Sequence, residues 1–279
     1  MAEPSSPSQS PLPDPKPVQV SSEHLKAWLP LYLKKADATI SHLNRLLSTP
    51  SGTDRVLCTL NYTLLALLTT VDNLRPLLHR FSTTPVTPIK RLSPITATKT
   101  HPLRALASLI SDIRVFLRLW GLLSIYTWGR DVFVTSPPHD RALRLIAYTQ
   151  VAVNAAYQTL ENGAYLAQHK VLLGWSEKAQ TRAWVWSSRF WAAHTALDLV
   201  RLLRVRQLRS VKGGRNGEKV DETEEDVLGW WSEVLVNAAY APLTVHWSLE
   251  EGLIEEVWVG LFGSVAGLVG LRQSWRKTA

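Results

Sequence analysis

One cysteine in 279 residues removes two architectures at once. Cys58 has no partner for an intramolecular disulfide, and no cysteine-based zinc cluster can form. It lies in the apolar run 56–68, where it reads as a packing residue. Catalytic patterns are missing as well. The chain has no Gly-x-Ser-x-Gly elbow, no His-Glu-x-x-His pair and no Walker phosphate loop. Its eight histidines, scattered from His24 to His246, stand at no ligand spacing from one another, so neither a metal nor a cofactor is implied. The glycine-rich stretch 212–217 lacks the Gly-Lys-Ser/Thr ending of a phosphate loop. An enzyme is therefore not expected. The first twenty residues carry six prolines and no apolar core, which excludes a cleavable signal peptide and points to a disordered Pro-rich tail (residues 1–20) in the cytosol.

Charge is also scarce. Charged residues are 19% of the chain, below the globular norm of about 25%. With 46% hydrophobic residues, the balance leans toward a membrane environment. The charge that remains is basic, a net +8, which suits an anionic partner. The twelve tryptophans favour phospholipid head groups over nucleic acid, because most lie in or beside apolar helical stretches. A nucleic-acid module would set its aromatics among basic residues on strands or loops, and none is recognisable.

What the sequence does have is helical period. Between residues 103 and 120, Leu106, Leu109, Ile110, Ile113, Phe116, Leu117 and Trp120 recur at i, i+3, i+4, i+7. Arg104, Ser108, Ser111 and Arg118 fall opposite, with Asp112 and Arg114 at the flanks. Such a helix either packs its apolar face on a soluble core or lies in the plane of a bilayer. In the second case the apolar residues insert to head-group depth and Arg104, Arg114 and Arg118 contact phosphates.

The rest of the chain reads as helices with punctuation. Residues 21–81 hold a first helix or broken helix pair from Ser22 to about Leu47, with Pro30 near its start, and a second helix starting at Asp54 as N-cap and kinked by Pro76. Pro85, Pro88, Pro94 and threonines make 82–101 a linker. Residues 102–211 hold the stripe and two long central helices, one from His139 to Leu172 with Gly174 as C-cap, the next from Ser176 to Leu208. Gln150, Asn154 and Gln158 share a face of the first of these, as a polar bundle seam or as the lining of a metabolite channel. A basic run from Arg201 to Arg215, followed by an acidic one from Glu218 to Asp226, makes 212–226 a charged loop. Residues 227–275 complete the chain with two apolar helices.

No uncharged apolar run is long enough to cross a bilayer unaided. Residues 257–271 would cover about 22 Å as a helix, against a hydrocarbon core of about 30 Å. Extension to 253–275 reaches far enough but takes in Glu255, Glu256 and Arg272, so the segment is either a span with snorkelling ends or a buried soluble helix. Gly260, Gly263, Ser264, Gly267 and Gly270 form a small-residue face that allows close helix approach, in a membrane against another copy.

Three blocks resemble the peroxisomal biogenesis factor 11 family, nearest its gamma-type or fungal C-type branch. The first, Ser111 to Leu122, is similar to the family's basic amphipathic helix. The second, Leu160 to Ser176, resembles its central block ending in Gly-Trp. The third is Pro242 to Glu250 with the glycine-rich segment and Trp275 after it. The resemblance implies an all-α, membrane-associated helical bundle in the peroxisomal membrane that elongates the membrane and promotes fission. It also implies self-association, phospholipid contact, an import receptor for peroxisomal membrane proteins and recruited fission machinery. A soluble helical adaptor that docks partner helices on the same stripe remains the alternative from the residues alone.

Overall fold

Thr49 shows how local chemistry sets the helices. Its hydroxyl accepts from the Gly52 N–H at 3.0 Å, and Pro50 follows in the first helical position, where its missing N–H costs nothing. The second helix therefore starts at Pro50. Asp54, expected as the cap, lies a full turn inside with its carboxylate free for another task. This computed structural model describes residues 22–81, 102–216 and 223–278. The expected tail (1–20), the linker (82–101) and residues 217–222 of the charged loop lie outside the described residues.

The elements run α1 (Ser22–Leu47), α2 (Pro50–Phe81), α3 (Pro102–Leu117), a 3₁₀ turn (Arg118–Trp120), α4 (Gly121–Arg130), a π turn (Asp131–Thr135), α5 (Arg141–Gln168), α6 (Glu177–Asn216), α7 (Glu224–Trp247) and α8 (Glu256–Lys277). The fold is all-α, and no strand occurs among the described residues. The chain divides into two units, residues 1–44 and 45–279. The first contributes most of α1. The second holds everything discussed below.

Asp140 caps α5 by accepting from the Leu143 N–H. That helix ends at Gln168, not Leu172, because Lys170 takes the left-handed conformation (φ 59°) and the Val171 N–H turns back to the Leu166 carbonyl. Gly174, expected as the cap, serves the following loop with φ 87°. Helix α6 runs on through Gly213-Gly214 to Asn216, eight residues past the expected end. Thr223 caps α7, and Glu224, Glu225 and Asp226, expected in a loop, fill its first turn where acids suit the helix dipole.

The core lies where α2, α7 and α8 meet. Cys58, Tyr62, Leu243 and Val259 are buried there, with Tyr240, Trp247 and Phe262 packed around them. Helices α2 and α8 run antiparallel along their small residues. Gly260 faces Ala66, Gly263 the Tyr62 ring, Gly267 faces Thr59 and Gly270 faces Arg55. A methyl group on Gly260 would stand 2.6 Å from the Ala66 backbone nitrogen, and one on Gly267 would stand 3.0 Å from the Thr59 Cα. This face, expected to receive another copy, is thus occupied by α2 of the same chain. No helix among the described residues is long and apolar enough to cross a membrane, which counts against the span among the two readings of the C-terminal segment.

Candidate functional site

Helix α3 is inverted relative to a helix on a soluble core. Leu106, Leu109, Ile113, Phe116, Leu117 and Trp120 are exposed, Leu109 and Trp120 more than half so. Ile110 alone of the stripe is buried, beside Ala107. The exposed apolar surface continues through Leu123 and Tyr126 on α4. Phe116 and Trp120 meet edge-on at 5.5 Å, so the outward face is itself an ordered aromatic pair.

The basic side turns inward instead. Arg114, whose side chain is only 12% exposed, donates Nε to Asp54 Oδ1 at 2.9 Å. Arg118 forms a two-pronged pair with Glu161, Nε to Oε2 and a terminal nitrogen to Oε1, both at 2.9 Å. Arg104 bridges Asp72 (2.8 Å) and Glu256 (3.2 Å). The three arginines expected on lipid phosphates are therefore held by carboxylates of α2, α5 and α8. Burial works against the Arg118 charge, yet Tyr157 and Glu161 outweigh it and raise its pKa. For Arg114 burial also opposes the charge, and neighbouring groups that include Asp54 more than offset it. Both guanidiniums remain charged inside the protein.

These two arginines line a cavity of about 600 Å³ between α2, α3, α5, α6 and α7. One wall is aromatic. Trp191 stacks on Trp247 (5.6 Å between centroids, 13° between planes), with Tyr240 at 5.5 Å and Tyr157 at 6.5 Å from Trp191. Burial raises the pKa of Tyr62 to about 12 and also lifts Tyr157 and Tyr240, so all three phenols stay neutral. Tyr157 donates its O–H to Glu161, completing that carboxylate's shell. Trp191 and Trp247 were expected at an interface and instead line this interior. The cavity was not read from the sequence.

The polar face of α5 is a bundle seam. Gln150, 3% exposed, donates to Asp198 on α6. Asn154 meets His194 at 2.7 Å, and Gln158 bonds Asn162. Asn237 of α7 joins through Asp198, and Arg201 ties Asp198 to Glu233. Arg204 pairs with Asp140. Much of the basic run on α6 is thereby used within the protein. No cluster of metal-ligating side chains occurs among the described residues.

The family model for peroxisomal biogenesis factor 11 (PEX11) matches residues 90–275, two thirds of the chain. The chain belongs to this family. Proteins of the family are peroxisomal membrane proteins involved in peroxisome proliferation, and membership places this chain at the peroxisomal membrane. It is a family of biogenesis factors and not a known enzyme family. The match takes in the stripe, both arginines of the cavity and the glycine face. The chain is also similar to an uncharacterized protein of Schizosaccharomyces pombe, 29% identical over 187 residues that cover 66% of this chain and 81% of that one. No solved structure matches.

Proposed function

We propose that this family member remodels the peroxisomal membrane by laying α3 and α4 into the cytosolic leaflet. The observation that carries the reading is the outward stripe. A helix that spends its arginines on internal carboxylates and leaves Leu106, Leu109, Ile113, Phe116, Leu117 and Trp120 exposed has its apolar burial still to make. Each such side chain is worth about 1.5–3 kcal/mol when fully buried, and insertion of the helix adds area to one leaflet and favours curvature. Because the arginines are occupied, apolar burial drives the binding, with the protein's net positive charge as a long-range contribution. Elongation and fission follow when many copies insert together, which asks for self-association through a surface other than the α8 glycines. The gamma-type or fungal C-type branch, the import receptor and recruitment of fission machinery belong to the same proposal.

The test is flotation of the full-length chain with liposomes of peroxisome-like composition. Leu109→Glu with Phe116→Glu, both exposed, is expected to leave helix content and unfolding unchanged and to abolish flotation and tubulation. Flotation equal to the unsubstituted chain would remove the insertion step and favour a helical adaptor at the membrane that docks partner helices on the same stripe.

A further inference from the structure

The interior cavity does not enter that mechanism, yet it has the features of a built binding site. Its volume, about 600 Å³, lies within the range of small-molecule sites. Ser111, Thr181 and Glu250 are exposed residues of its lining, so it has a mouth. Its chemistry has two halves. The stacked Trp191 and Trp247, with Tyr240 beside them, offer π faces, and tryptophan faces are the best aromatic partners for an ammonium or quaternary ammonium group. The other half is the guanidinium pair. Arg118 uses Nε and one terminal nitrogen on Glu161, and Arg114 uses Nε on Asp54. An arginine has five N–H donors, so each keeps donors once its carboxylate is satisfied, in a fork that fits phosphate oxygens. The ion pairs hold both forks in place before any ligand arrives, which lowers the cost of ordering on binding.

Charge balance decides between a plain anion and a zwitterion. Three carboxylates (Asp54, Glu161 and Glu250) stand in the lining against the two guanidiniums. A bare phosphate would meet a net negative site, and a bare ammonium would leave the remaining guanidinium donors unused. A group with both charges satisfies both halves. We propose that the cavity binds a phosphoammonium group such as phosphocholine, its phosphate on Arg114 and Arg118 and its ammonium on the Trp191–Trp247 wall. The chemistry is shared by a phospholipid head group and by the free phosphoester. Occupancy does not depend on insertion of α3, so this proposal and the preceding one stand or fall separately.

The test is calorimetric titration of the purified full-length chain in maltoside micelles with phosphocholine, choline, inorganic phosphate and monomeric dihexanoyl phosphatidylcholine. Phosphocholine is expected to bind about tenfold more tightly than phosphate or choline alone, the factor one desolvated cation–π contact supplies. Thr181→Trp, at the mouth, is expected to weaken it by about tenfold or more while the unfolding midpoint holds, with Ser111→Trp as a second blocker should Thr181→Trp misfold. Trp247→Leu is expected to reduce phosphocholine affinity to that of phosphate. Tighter binding of the short-chain lipid than of free phosphocholine assigns the site to a head group, and equal binding assigns it to the soluble ester. Phosphate binding as well as phosphocholine, no heat with either, or unchanged binding when the mouth is blocked overturns the proposal.

Discussion

Helices α3 and α8 carry similar amounts of apolar sequence and use it in opposite ways. On α8 the small residues face inward, and Gly260, Gly263, Gly267 and Gly270 let α2 approach to backbone contact. On α3 the charged residues face inward and the large apolar ones face out. The α8 seam is held by close packing and tolerates no added volume. The α3 seam is held by ion pairs and leaves its hydrophobic surface unspent. Of these two helices, the one whose apolar face is committed to the fold is the one whose facing residues are small.

Breaking the α3 seam is expected to have the largest effect on stability. Arg118→Leu leaves Glu161, 6% exposed, without its cation, and is expected to cost about 3 kcal/mol in chemical unfolding, with the arginine's own partial exposure keeping it at the low end for buried pairs. Arg118→Leu with Glu161→Leu is expected to recover most of that loss. A double variant no better than the single would show that packing, not charge, holds α3. Next comes the α8 seam. Gly260→Ala pushes a methyl into the Ala66 backbone and is expected to cost about 2 kcal/mol, read from the same denaturation curve. An unchanged midpoint would mean the two helices can separate freely.

A smaller effect sits on the polar seam between α5 and α6. Burial lowers the His194 pKa, partly opposed by Asp198, and the 2.7 Å contact of its Nδ1 with the Asn154 amide requires that nitrogen unprotonated. The unfolded chain therefore binds the proton more readily. The stabilisation is present above the unfolded value of about 6.5 and is lost as pH falls below it. Thermal unfolding followed between about pH 7.5 and 5.5 should show a drop that His194→Gln flattens. Equal slopes would remove His194 as the cause. The smallest effect on stability belongs to the exposed stripe. Leu109→Glu with Phe116→Glu is expected to shift unfolding by no more than about 0.5 kcal/mol, although it removes lipid binding. A larger loss would mean that the stripe is packed after all.

The helices themselves were legible from local pattern. The span of α1 and the presence of the amphipathic stripe follow from periodicity, and the family followed from blocks that lie on α3, α5 and α7. The direction the stripe faces was not legible. A period shows that two faces differ, but which one turns inward depends on Asp54, sixty residues away, and Glu161, forty-three residues away. The start of α2 was misread although the Thr49-Pro50 pair carried the information, because Asp54 is an equally good cap by residue type. The glycine face was recognised and its partner was not, since nothing local distinguishes Ala66, Tyr62 and Thr59 from any other helical surface. The cavity escaped for the same reason: its aromatics come from α2, α5, α6 and α7, and only the tertiary fold brings them together.

The zipper of α2 and α8 joins positions about two hundred residues apart, and Arg45 donates to the Thr278 carbonyl at the same end of the bundle. During synthesis α2 leaves the ribosome long before its glycine-lined mate exists. Until then the face of α2 that carries Thr59, Tyr62 and Ala66 lacks the helix it packs on. A truncation before residue 256 would not give a protein merely released from its membrane, but an orphaned helix prone to aggregate.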